Sequence, residues 1–155
     1  TKLHVRVSAQ TEQGANISDQ WTGSELPLAF ASDSNPTDPV SNVNDKLISF
    51  NDRPANRWTN WNRSNPEASV GVLFGDSGIL SKRSVDNLSV GFHEDHGVGV
   101  PKSYVIEYYV GKTVPTAPKN PSFVGEENHA FNDPANWKEQ STSSIKSWRN
   151  ESFQL

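Results

Sequence analysis

Apolar and polar residues alternate along this chain in short runs separated by turn-forming residues. Residues 3–8, LHVRVS, set Leu3, Val5 and Val7 against His4, Arg6 and Ser8, the two-residue period of a half-buried strand. Residues 9–44 are long and polar, broken by Pro27, Pro36 and Pro39, with one short strand expected near Leu26–Phe30. A segment of that length marks a wrapping or functional loop. KLISF (46–50) reads as a short strand. SVGVLFG (69–75) is almost continuously apolar and ends in glycine, the pattern of a buried central strand. VDNLSVGF (85–92) alternates Val85, Leu88, Val90 and Phe92, and the slip at Asn87 predicts a bulge. SYVIEYYV (103–110) is β-branched and aromatic, and Gly111 closes it. Residues 112–134 are Pro- and Asn-rich loop, after which ANWKEQ and SIKSWRNESFQL are left to supply two last strands. Short strands between turn signals, without an internal repeat or a long amphipathic helix, predict an all-β sandwich or barrel.

Composition narrows this further. The 155 residues fit a single domain, 1–155, large enough to bury a core. No 20-residue apolar run is present, so no membrane insertion is expected. Thr1 stands where an initiator Met would, and no signal peptide is visible, which suggests an excised module. The chain has no Cys and no Met, excluding disulfides and thiolate metal sites. In an extracellular protein, zero Cys fits a Gram-positive surface better than a eukaryotic one. The formal charge of −4 argues against nucleic acid and anionic membranes, which favour basic surfaces.

Three stretches carry candidate chemistry. NRWTNWNRSN (56–65) holds two of the five tryptophans, Trp58 and Trp61. Buried, they are core; facing outward, either is a platform. An exposed indole packs on the C–H-rich face of a sugar, and Asn62 and Arg63 beside Trp61 can hydrogen-bond hydroxyls. FHEDHGVGVPK (92–102) crowds His93, Glu94, Asp95, His96 and Lys102 into one loop. Glu94 and Asp95 are a poor acid–base pair, because adjacent residues on an extended chain point apart while glycosidases need carboxyls set across a cleft. His93 and His96 lack further spacing-matched ligands for zinc. Sugar hydroxyls want donors and acceptors together, and His93, Asp95, His96 and Lys102 supply both; a solvated turn is the plainer alternative. EENHAFNDPANW (126–137) offers His129 and Trp137 as a possible rim. The Asn-X-Ser sequons at Asn16, Asn62, Asn87 and Asn150 read as chance in an Asn/Ser-rich chain.

An Asn-Asp turn, NRWTNW, the strand SVGVLFG and then VDNLSVGFHEDHGVGVPKSYVIEYYVG together resemble the discoidin-like (factor 5/8 type C) β-sandwich, a galactose-binding-like jelly roll. The likeness is strongest to carbohydrate-binding modules of family 71, borne by large Gram-positive cell-surface β-galactosidases, and it covers residues 45–139. The resemblance implies a non-catalytic, monomeric, extracellular module of a wall-anchored parent, recognising galactose-terminated glycans such as lactose and N-acetyllactosamine. It implies that Trp58 is a core plug and that Trp61 lies at the ligand-binding end. It also implies a structural calcium under the Asp-containing turn, with Asp52 and Asn56 in the corresponding place. A discoidin-type adhesion module for a protein or other surface partner is the alternative. The chain departs from the pattern after NWK, where few alternating apolar residues remain, so the closing strands are expected to be short, supplied differently or absent.

Overall fold

The computed structural model describes residues 2–8, 27–45, 47, 56–76, 79–83, 88–92, 98–140, 146–149 and 153–154. Its strands are β1 (Lys2–Ser8), β2 (Leu28–Ala31), β3 (Glu67–Leu73), β4 (Gly75–Asp76), β5 (Ile79–Leu80), β6 (Ser89–Phe92), β7 (Ser103–Tyr109), β8 (Trp137–Gln140), β9 (Lys146–Arg149) and β10 (Phe153–Gln154). They form a five-stranded sheet in the order β2-β3-β1-β7-β8, a three-stranded sheet β10-β9-β6, and the small hairpin β4-β5. The closing strands are therefore short, and they complete the second sheet beside β6. The strand expected at 46–50 and the bulge at Asn87 lie outside the described residues, apart from Leu47.

Alternation along β2 shows how the large sheet is packed. Ala29 and Ala31 join Val40, Val70 and Ile106 in one buried cluster, against which Trp58, Leu88, Val90, Phe92 and Tyr104 pack. Phe30, between the two alanines, joins Leu73, Val124, Phe131 and Trp137 in a second. Successive side chains of a strand point to opposite faces, so both faces of the sheet are covered. The second sheet, through Val90 and Phe92 of β6, covers the first face. Two 3-10 helices, Pro121–Glu126 and Ala130–Asn132, cover the other through Val124 and Phe131. Two-sided burial explains why β3 is a nearly unbroken apolar run rather than an alternating one.

Register fixes which loops share an end. β1 runs parallel to both β3 and β7, with Lys2 level with Glu67 on one side and Ser103 on the other. The segments entering β3 and β7 therefore meet at one end of the sheet. β2 is antiparallel to β3, with Ala31 opposite Val70, so the chain leaving β2 emerges there too. β8 pairs antiparallel with β7, with Trp137 opposite Tyr109, and so begins at the far end. Seven-residue strands rising roughly 3.3 Å per residue separate the two ends by about 20 Å.

Candidate functional site

At the near end, residues 57–66 approach β3 over the loop that leaves β2. Trp58 turns inward: its ring packs on the first core cluster and its indole N–H donates to Ser34 Oγ at 2.9 Å. Three residues on, Trp61 turns outward, and it is 54% exposed. The tight turn Asn60–Arg63, closed by Arg63 N–H donating to Asn60 O at 3.2 Å, separates their fates. Asn62 takes φ 59° in this turn, the left-handed region that asparagine tolerates better than most residues. Its side chain is exposed beside the indole.

Buried polar side chains pin the backbone under this indole. Asn35 donates from Nδ2 to Trp61 O at 2.9 Å, and Thr59 Oγ1 accepts from Trp61 N at 3.3 Å. Thr59 in turn donates to Asp38 Oδ2 at 2.7 Å. Asn35 Oδ1 accepts from the backbone N and hydroxyl of Thr37 at 2.9 and 2.7 Å, an Asx turn of the kind that Asn-Pro-Thr forms readily. Asn35, Asp38 and Thr59 are all buried, so Trp61 stands on a preorganised base.

Arg63 is exposed, yet its guanidinium is engaged by other segments of the chain. Its Nε donates to Asp33 Oδ1 at 2.6 Å and its Nη2 to Glu126 Oε1 at 3.0 Å, while the guanidinium lies 5.2 Å from the Phe123 ring centroid. Arg57 likewise faces Asp38 at 3.5 Å. Both cations beside Trp61 are thus matched by carboxylates, leaving an exposed aromatic face among neutral amides. Such a surface suits an uncharged, hydroxyl-rich ligand better than an anion.

The other expected site residues divide by position. Lys102 is exposed one residue before β7, and the register sets it at the same end as Trp61, two strands away. His93, Asp95 and His96 lie outside the described residues, on a segment whose flanks reach this end: Phe92 meets Tyr104 with ring centroids 5.7 Å apart.

Trp137 and His129 are corrections. Trp137, expected on a rim, is 7% exposed; its indole N–H donates to Phe131 O at 2.9 Å, and it packs beside Phe30, Tyr109 and Phe131. It presents no free face. His129 caps the helix Ala130–Asn132: Nδ1 accepts from Phe131 N at 3.2 Å while Nε2 lies 3.0 Å from Thr116 O. This pattern assigns the Nε2–H tautomer and leaves neither ring nitrogen for a sugar. Both residues sit at the far end.

For calcium, Asp52 lies outside the described residues. Asn56 Nδ2 donates to Leu47 O at 2.7 Å and faces Asp45 Oδ1 at 3.4 Å. The oxygens there are met by an amide nitrogen, and among the described residues no three His, Cys, Asp or Glu side chains gather.

Sequence reasoning missed Asp33, Asn35, Asp38, Phe123 and Glu126 as supports of the site. Only the Asx-turn signature Asn35-Pro36-Thr37 was there to be read. The pairing of Arg63 with a residue 63 positions away leaves no local mark.

Residues 29–151 match the family model described as the β-galactosidase-like galactose-binding domain. Among solved structures, a chain from work on the Streptococcus pneumoniae β-galactosidase BgaA is 92% identical. It superposes with a TM-score of 0.78, over 82% of this chain and 71% of that one. No curated protein sequence matches significantly.

Proposed function

Because the chain belongs to the β-galactosidase-like galactose-binding domain family, we propose that it is a non-catalytic module that binds terminal β-galactose, as in lactose and N-acetyllactosamine. The observation that carries this reading is the outward indole of Trp61 on a turn held by hydrogen bonds to the buried side chains of Asn35 and Thr59. Galactose has one face rich in C–H groups, and stacking that face on an indole removes apolar surface from water without burying a hydroxyl. Asn62 beside the ring supplies donors and acceptors for the hydroxyls at the sugar's edge. Carboxylates near the indole are held by arginines, Asp33 and Glu126 by Arg63 and Asp38 by Arg57, which suits them to support rather than to acid–base chemistry. In this reading the module acts as a monomer outside the cell and holds a larger surface β-galactosidase on galactose-terminated glycans.

A shallow site taking one or two sugars binds weakly, with dissociation constants of about 10 μM to 1 mM. Titration calorimetry with lactose and with a glucose-only disaccharide is the test. Heat from lactose alone is expected. Equal heat from both, or from neither, removes the galactose assignment and favours a surface module for a protein partner.

A further inference from the structure

We infer that Arg63 is a positioning residue, which holds the Trp61 turn in its binding geometry through Asp33, Glu126 and Phe123 rather than by touching the ligand. This rests on the reading of Trp61 as the platform. The guanidinium joins three segments distant in sequence: the turn Asn60–Arg63, the loop leaving β2 at Asp33, and the 3-10 helix Pro121–Glu126. Its two ion pairs are unequal. The Asp33 side chain is 13% exposed and that of Glu126 63%, and a solvated pair contributes little. Asp33 is therefore the anchor, and the Phe123 ring lies against the guanidinium. Only arginine meets these demands together, because its planar fork donates from Nε and Nη2 in one plane while offering a flat face to an aromatic ring. Lysine would supply the charge but neither the fork nor the stacking plane. Removing the side chain therefore unties the turn from Asp33, Glu126 and Phe123 while leaving the indole of Trp61 in the chain.

The test combines a ligand-free and a ligand-bound measurement on Arg63→Ala, Arg63→Lys and Asp33→Asn, with Trp61→Ala as reference. Without ligand, amide hydrogen exchange at Trp61 and Arg63 should quicken in all three variants, while amides of β3 and β7 and the melting temperature hold near the parent. With lactose, Arg63→Ala and Asp33→Asn should each weaken binding by about five- to tenfold, Arg63→Lys rescuing it only in part. Direct contact makes the opposite forecast: Asp33→Asn leaves the guanidinium in place and freer, so affinity would hold or rise while Arg63→Ala lost it. That result, or unchanged exchange at the turn, overturns the inference. Trp61→Ala binding lactose like the parent would instead remove the platform reading, and the exchange measurement would still decide what Arg63 does for the turn.

Discussion

Trp58 and Trp61 carry the same side chain three residues apart, and their surroundings give them different work. Trp58 donates its N–H to Ser34 and packs on the core; among the described residues, the hydrogen bonds of Trp61 are to its backbone. Replacing Trp58 by Ala should destabilise the protein by about 3 kcal/mol, mostly through the cavity left behind. Trp61→Ala should melt like the parent and lose roughly 1–3 kcal/mol of lactose binding, as expected when an aromatic anchor is removed. Thermal melts and titrations of the two variants check both halves. The family resemblance implied this division, whereas the residues of NRWTNW alone left both tryptophans open. The fate of Trp137 was not: it sits in a Pro- and Asn-rich stretch that looks like solvated loop, and only contacts with Phe30 and Tyr109 from distant strands enclose it. Tyr109 shares that cluster. Burial, and secondarily the Asp133 carboxylate, push its phenol above the ordinary value. Ionisation is therefore harder in the folded than in the unfolded chain, so stability is full below about pH 10, the usual tyrosine value, and declines above it. Urea unfolding between pH 8 and 11 should show a shallower alkaline decline for Tyr109→Phe; identical pH slopes would contradict this.

Among the elements, strands were easier to foresee than their neighbours. β3 and β7 announced themselves by β-branched and aromatic runs, whereas β8 and β9, with one apolar residue each, were expected only from what remained of the chain. That β1 lies between β3 and β7 depends on pairings far apart in sequence, which periodicity does not encode. The 3-10 helices were hidden for a different reason: their Pro, Asn and Gly content reads as loop, although Val124 and Phe131 make them the cover of one sheet face. Helix Pro121–Glu126 lies close enough to β2 that a Cβ on Gly125 would stand 2.8 Å from Ser32 O, and Gly125 N–H donates to that same oxygen at 2.9 Å. Gly125→Ala should push the helix outward, costing about 1–3 kcal/mol and loosening the Glu126 side of the Arg63 bridge. A melting temperature equal to the parent's would show that the helix yields without strain.

For the whole molecule, the sandwich acts as a rigid mount. Its strand register gathers the segments entering β3 and β7 and the one leaving β2 at one end, and puts His129 and Trp137 at the other. The family resemblance foresaw this architecture and the pairing of an inner with an outer tryptophan. It did not foresee that Arg63 would be engaged by Asp33 and Glu126, because these acids come from separate segments. Weak single-site binding suits a module tethered to a larger enzyme, since tethering raises the effective concentration without any new contact. In the proposed function, galactose sits on Trp61 at the near end of the sandwich. The most direct test follows the five tryptophan indole N–H resonances in a ¹⁵N-labelled sample as lactose is added, with Trp61 assigned by its loss in Trp61→Phe. The Trp61 signal should move progressively with lactose and remain still with a glucose-only disaccharide, while Trp58 and Trp137 stay nearly fixed. A Trp61 resonance that holds its position while the protein binds lactose would place the site elsewhere.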